Sequence, residues 1–111
     1  AEKIQRAFTN VLDNAAKFTP DGGAITVRSM REEQPGAAMT LVEIENTSAP
    51  IPDDDLPRIF ERFFRGDRSR ATAGGSGLGL AIAKELVELH GGQISAANGL
   101  NSVILSIRLP G

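Results

Sequence analysis

The apolar residues at the start of the chain recur every three or four positions: Ile4, Phe8, Val11, Leu12, Ala15 and Phe18. This spacing predicts one helix over 2–18 carrying a single apolar stripe, ended by the turn residues Thr-Pro-Asp-Gly-Gly at 19–23. A helix that is apolar on one side only must lay that side on a second layer. The rest of the chain offers one. Residues 24–28 (AITVR) and 41–46 (LVEIEN) alternate as strands do, with a hairpin-like connection over 32–38. Residues 93–97 and 103–109 form a second pair, the latter turning Val103, Leu105, Ile107 and Leu109 to one side. Two further helices are predicted. Over 53–64, Asp53, Asp54 and Asp55 suit a positive helix end, and Pro57 confines the start to about residues 53–56. Over 77–90, Leu78, Ile82, Leu86 and Leu89 share a face and Gly91 supplies the stop. The order helix, two strands, helix, loop, helix, two strands suits a two-layer α/β sandwich with helices on one face of a sheet.

A chain of 111 residues makes one domain with one core. Its net charge of -2 gives no electrostatic footprint for nucleic acid or an anionic membrane. With no cysteine and a single histidine, His90, disulfides and thiol chemistry are excluded and a zinc site would need carboxylates almost alone. No stretch approaches the roughly 20 apolar residues of a membrane-spanning helix, and no signal peptide opens the chain. It begins without methionine and directly in helical pattern, as an excised domain would.

The first helix holds an oddity. Asn10, Asn14 and Lys17 fall within roughly 60° of one another at 100° per residue, on the side opposite Phe8, Val11 and Ala15. A solvated face accounts for such a stripe. However, asparagine costs roughly 0.7 kcal/mol against alanine inside a helix, and glutamate or lysine would serve a wet face better. A carboxamide oxygen is instead a short, neutral ligand for a hard cation such as Mg²⁺, which is often held by one or two protein groups plus substrate phosphates. The second oddity is GGSGLGLAIAK at 74–84, with Gly74, Gly75, Gly77 and Gly79 at the entry to a helix. Free backbone N–H groups there form an anion site, and a plain flexible linker is the alternative. A P-loop is excluded because Leu80 follows Gly79, and the dinucleotide fingerprint because the spacing is G-x-G-x-G after a polar loop. The segment 65–77 has almost no apolar side chain and is expected to be a mobile loop; Arg65, Arg68 and Arg70 on it suit either a solvated charge run or closure over a triphosphate.

Taken together, NVLDNAAK (10–17), IFERFFRGDRS (59–69) and GSGLGLAIAKELVELHGG (75–92) resemble the N box, F box and second glycine box of the ATP-binding catalytic domain of bacterial sensor histidine kinases, within the Bergerat-fold ATPase and kinase group. The resemblance covers nearly the whole chain, 1–111, in the right order. It implies an α/β fold: a two-layer sandwich with a mixed sheet, helices covering one face and a mobile ATP lid over 65–77. It makes Asn14 the Mg²⁺ ligand, Asn10 a polar neighbour of metal and phosphates, Lys17 a phosphate-facing cation and Phe18 a neighbour of the adenine. Arg65 and the amides of Gly75, Gly77, Leu78 and Gly79 would meet the triphosphate, with Ile51, Phe60 and Leu80 completing the nucleotide-contacting set.

Two boxes depart from the family pattern. Where the family reads D-x-G-x-G-I-P, this chain has NTSAPIP at 46–52: Asn46 replaces the aspartate, Ser48 and Pro50 replace the glycines, and Ile51-Pro52 is kept. Asn46 can still accept a hydrogen bond from the adenine amino group, without a charge. The final G-T-x-F reads Ser102-Val103-Ile104-Leu105, and the threonine hydroxyl is gone. Hydrolysing relatives carry a glutamate where Asn10 stands; an amide has no useful basicity, so the resemblance implies a site that orients Mg-ATP, with Asn10 and Arg65 acting in transfer, for a histidine nucleophile rather than water. His90, at a helix end, is expected to be structural. The acceptor histidine would lie on a dimerisation domain upstream, and a response regulator downstream in the pathway. The implied setting is a cytoplasmic domain of a membrane-anchored bacterial kinase, touching neither nucleic acid nor the membrane. A regulatory nucleotide-binding module that has lost phosphotransfer is the alternative.

Overall fold

In the computed structural model, which describes residues 2–62 and 78–111, two helices lie on one face of a four-stranded sheet. The chain order is α1 (Glu2–Phe18), β1 (Ile25–Gln34), β2 (Ala37–Thr47), a 3-10 turn (Leu56–Arg58), α2 (Gly79–Leu89), β3 (Gln93–Gly99) and β4 (Ser102–Pro110). The expected α/β sandwich is therefore present. The sheet order is β1-β2-β4-β3, and every pairing is antiparallel, which corrects the expectation of a mixed sheet. For two of the three pairings the reason is local: β1–β2 and β3–β4 are hairpins with two-residue turns, and a turn that short joins only antiparallel strands. Pro35-Gly36 makes the first, with Gly36 at φ +78°, and Leu100-Asn101 the second, with Asn101 at φ +55°.

The first hairpin is longer than the sequence pattern indicates. Residues 32–38 are not a connection; Gln34 pairs with Ala37, so the ladder continues to the turn. Glu32 and Glu33 break the apolar alternation without breaking the strand, and Glu32 accepts a 3.0 Å bond from Arg108 Nε on the sheet's outer face.

The predicted helix over 53–64 is also corrected. Asp55 stands at the N-cap of the 3-10 turn but its side chain caps nothing. The backbone bonds run mainly three residues back, Arg58 N–H to the Asp55 carbonyl at 2.8 Å and Glu61 N–H to the Arg58 carbonyl at 2.9 Å. The tighter winding lets the adjacent residues Ile59 and Phe60 both pack on the core. Pro57 does sit in the first turn, where its missing N–H matters least.

The core is contributed by both layers: Ala7, Val11 and Ala15 from α1, Ala83, Leu86 and Val87 from α2, and Ile44, Leu105 and Ile107 from the sheet. α1 packs on α2 and on β2, and the small Ala7 and Ala15 allow the two helices to approach closely. α2 lies between α1 and β3, which shifts its buried face toward Ala83 and Val87 and leaves Leu89 71% exposed, against the predicted stripe. Gly91 ends α2 as expected. At φ +77° it donates to the Glu88 carbonyl at 3.0 Å, while Gly92 N–H reaches back to the Val87 carbonyl at 3.0 Å, a Schellman closure. Among the described residues no helix covers β1, whose Ile25 and Val27 are exposed on the helix side of the sheet.

The opposite sheet face carries charges. Arg28 Nη2 lies 2.8 Å from Glu45 Oε1, and Ser102 Oγ donates to Glu45 Oε2 at 2.5 Å. Gly99 is needed beside this group, since a Cβ there would stand 2.4 Å from Ser102 Oγ. The Ser102 hydroxyl first, and Arg28 second, hold the Glu45 carboxyl below its ordinary value of 4.5.

Two outcomes follow for stability. Ile44→Ala, at 1% exposure, should lose about 2–5 kcal/mol in urea unfolding, whereas Val27→Ala on the uncovered strand should stay within about 0.5 kcal/mol of the parent. Because the Glu45 pKa is lowered on folding, its contribution is present above 4.5 and is lost as pH falls through the folded value. The stability difference between the parent chain and Glu45→Gln should thus be steady near neutrality and shrink on acidification; a difference unchanged down to about pH 2 would contradict this assignment.

Candidate functional site

Of the stripe Asn10, Asn14 and Lys17, the two asparagines do not sit on the wet face of α1. Asn10 and Asn14 are half-buried and Lys17 is exposed. The buried row is Ala7, Val11 and Ala15, so at 100° per residue Asn14 stands about 60° and Asn10 about 100° from its middle. The predicted position opposite the apolar face is corrected to its flank, because packing against α2 selects Ala7 for burial and leaves Phe8 only partly covered. Both carboxamides therefore border the buried layer instead of facing bulk water. Lys17 Nζ lies 5.4 Å from the centre of the Phe18 ring, within cation–π range. Thr19 closes this end of α1, its hydroxyl donating to the Ala15 carbonyl at 2.6 Å.

The end of the sheet supplies the second part. Across β3, β4 and β2 the register places Asn98 opposite Val103 and Val103 opposite Asn46, all on the face that carries Leu105 and Ile44. Val103 is 2% exposed and Asn46 likewise 2%. A carboxamide so deeply covered needs partners. The Asn46 Nδ2 group donates to the Thr47 carbonyl at 3.3 Å; among the described residues no donor meets its Oδ1. Val103, standing where the family pattern has threonine, has no hydroxyl to give. Leaving a buried acceptor without a partner costs about 1–3 kcal/mol.

The segment after β2 is tied to the β3–β4 hairpin. Ser48 N–H donates to the Asn101 carbonyl at 3.2 Å, and the Ser48 hydroxyl to the Ala49 carbonyl at 2.9 Å. Ile51, 4% exposed, is gripped through its backbone: its N–H donates to Asn98 Oδ1 at 2.9 Å and its carbonyl accepts from Asn98 Nδ2 at 2.8 Å. Asn98 escaped the sequence reading, which ended that strand at Ala97. A signal was there: Asn98 shares the inward parity of Ile94 and Ala96, and a polar side chain at an inward position needs a buried partner.

The start of α2 is the third part. Leu78 stands at the N-cap, where its side chain makes no capping hydrogen bond, and the first N–H groups of a helix lack intrahelical partners. Among the described residues a Cβ added at Gly79 would meet nothing within 4 Å. Phe60 and Leu80 pack on the core cluster, forming wall more than exposed contact. Arg65, Gly75 and Gly77, like Arg68, Arg70 and the whole 65–77 lid, lie outside the described residues. His90 stands at the C-terminal end of α2 with Nδ1 2.9 Å from the Leu86 carbonyl.

The described residues thus bring to one side of the sheet a helix start, two half-buried carboxamides on α1 and a buried acceptor in an apolar setting. Among the described residues no cluster of three or more histidine, cysteine, aspartate or glutamate side chains could hold a metal, and no helix is long and apolar enough to cross a membrane.

Residues 1–110 match a protein family described as histidine kinase-, DNA gyrase B-, and HSP90-like ATPase. The chain is 44% identical over 110 residues to the probable sensor kinase SilS of Salmonella typhimurium, spanning 98% of this chain and 21% of that protein. It is 40% identical over 111 residues to the sensor protein VanS of Enterococcus faecium, spanning 98% and 27% respectively. Among solved structures, a mycobacterial sensor histidine kinase, MprB, superimposes with TM-score 0.84 at 39% identity, covering 96% of this chain and 70% of that one. The catalytic domain of the histidine kinase ThkA does so with TM-score 0.82 at 29% identity, covering 98% and 66%. The chain thus spans less than a third of the length of the curated relatives it matches.

Proposed function

The chain belongs to the family of histidine kinase-, DNA gyrase B- and HSP90-like ATPases, and from that premise we propose that it is the part of a sensor histidine kinase that binds Mg-ATP and presents its γ-phosphoryl group to a histidine on another domain. The observation that carries this reading is Asn46: its buried Oδ1, without a donor among the described residues, suits the exocyclic amino group of adenine. Because Nδ2 is directed to the Thr47 carbonyl, the carboxamide offers the base an acceptor, which favours a 6-amino purine over a 6-oxo purine.

The donor set fits a metal-bound triphosphate. Asn14 would hold Mg²⁺ through its carboxamide oxygen, with phosphate oxygens and water completing the shell, and the ion would supply charge stabilisation at the γ-phosphate. The amides of Gly79 and Leu80, at the start of α2, would receive phosphate oxygens, and we assign the same role to Arg65, Gly75 and Gly77. Asn10 orients without abstracting a proton, since an amide is not a base near neutral pH. A neutral imidazole needs no deprotonation before attack, so a site lacking a base serves a histidine acceptor and disfavours water. The acceptor is assigned to a dimerisation domain outside this chain, and a response regulator would take the phosphoryl group onward. A cytoplasmic position in a membrane-anchored kinase agrees with the sensor-kinase relatives.

Titration calorimetry tests this reading. The chain should bind ATP more tightly with Mg²⁺ than without it. Asn46→Ala should weaken Mg-ATP by about five- to fiftyfold, from one buried hydrogen bond. Asn14→Ala should remove most of the metal dependence. Affinity indifferent to Mg²⁺ and to both substitutions would refute the assignment. If binding survives as described but no phosphoryl group reaches an added acceptor domain, the chain is a regulatory nucleotide-binding module, a reading that the Ser48 and Pro50 substitutions in the base loop motivate.

A further inference from the structure

We propose that Asn98 is a positioning residue for the nucleotide base: its carboxamide locks the Ile51 backbone beside Val103 and so builds one wall of the pocket whose opposite side is Asn46. The inference rests on the adenine-nucleotide reading given above, and it adds a residue from a strand that none of the recognised boxes includes.

The geometry is that of a ladder pair made by a side chain. Asn98 Oδ1 accepts from Ile51 N–H at 2.9 Å and Asn98 Nδ2 donates to the Ile51 carbonyl at 2.8 Å, so both backbone groups of one residue are satisfied at once. The register Asn98, Val103, Asn46 lies in one row across three strands. Asn98 and Asn46 therefore flank the same buried valine, one holding the loop and the other leaving an oxygen open. The loop needs such a hold. It has Ser48 and Pro50 instead of glycines and passes from Thr47 to the turn at Leu56 without regular structure. Among the described residues its hydrogen-bond tethers to the hairpin are the Ser48–Asn101 backbone bond and the paired hydrogen bonds of Asn98, and of these the latter act at Ile51, 4% exposed. A side chain that fixes Ile51 fixes the surface against which a flat base would lie. Its two hydrogen bonds both go to the Ile51 backbone, so its influence should be confined to the base.

That confinement is what the experiment reads. Titrations of the chain with Mg-ATP and with Mg-tripolyphosphate, which has no base, should separate the two halves of the site. Asn98→Ala should weaken Mg-ATP by about five- to twentyfold while leaving tripolyphosphate within about twofold. Asn98→Ser, whose hydroxyl can keep at most one of the two bonds, should fall between parent and alanine, and it decides the question by the same criteria if Asn98→Ala does not fold. Unchanged ATP affinity in a folded variant would overturn the inference, as would an equal loss for both ligands, which is what a merely structural residue would give. Failure of the underlying reading is seen separately, in the parent chain and in Asn46→Ala: no ATP binding by the first, or undiminished binding by the second, overturns both proposals before any Asn98 variant is compared.

Discussion

A single polar oxygen buried among apolar side chains sets the character of this domain. Asn46 sits on the helix-covered face of the sheet, at an inward position that alternation would give to valine or isoleucine, and with Val103 as its cross-strand neighbour. Its Nδ2 reaches only the adjacent backbone carbonyl. Folding does not demand an asparagine there; a branched aliphatic residue would extend the row that Ile44, Leu105 and Ile107 begin. The polar atom is a standing cost of about 1–3 kcal/mol unless a ligand donor meets it, and sites where local rules are broken in this way are where function concentrates.

The rest of the architecture supports that point. Antiparallel hairpins bring β2 and β4 side by side so that Asn46 and Val103 meet, and the second hairpin carries Asn98 to the far side of the valine. α1 and α2 close over the sheet through Ala7, Ala15 and Ala83, whose small side chains bring the helices close together. The same packing turns Asn10 and Asn14 to the edge of the buried layer, where a carboxamide is half shielded from water and a neutral ligand is favoured over a charged one. The elements proposed for base, metal and phosphate thus come from different layers: strand ends, the flank of α1 and the start of α2.

Much of this was legible in the sequence, and the exceptions have physical causes. The 3.6-residue period of α1 and the alternation of β4 were readable because each element buries one face, and Gly91 announced the end of α2 because only glycine takes φ +77° at little cost. The outer part of the β1–β2 hairpin was hidden, since Glu32 and Gln34 lie in a strand that no helix covers and no apolar alternation is required there. The 53–64 segment misled because acidic residues before Pro57 imitate a helix start, while the pull of Ile59 and Phe60 onto the core imposes a tighter turn. Among the residues proposed for the site, Asn46 and Asn14 were singled out by the boxes that contain them. Asn98 was not, because its partner is the backbone of Ile51, 47 positions away in the chain, and backbone partners leave no trace in residue identity.

The most direct test is the structure of the chain crystallised with Mg²⁺ and a nonhydrolysable ATP analogue. The account predicts the adenine amino nitrogen about 2.9 Å from Asn46 Oδ1, with the triphosphate directed toward Asn14 and the start of α2. A nucleotide lodged elsewhere, with the Asn46 oxygen still facing no donor, would contradict it.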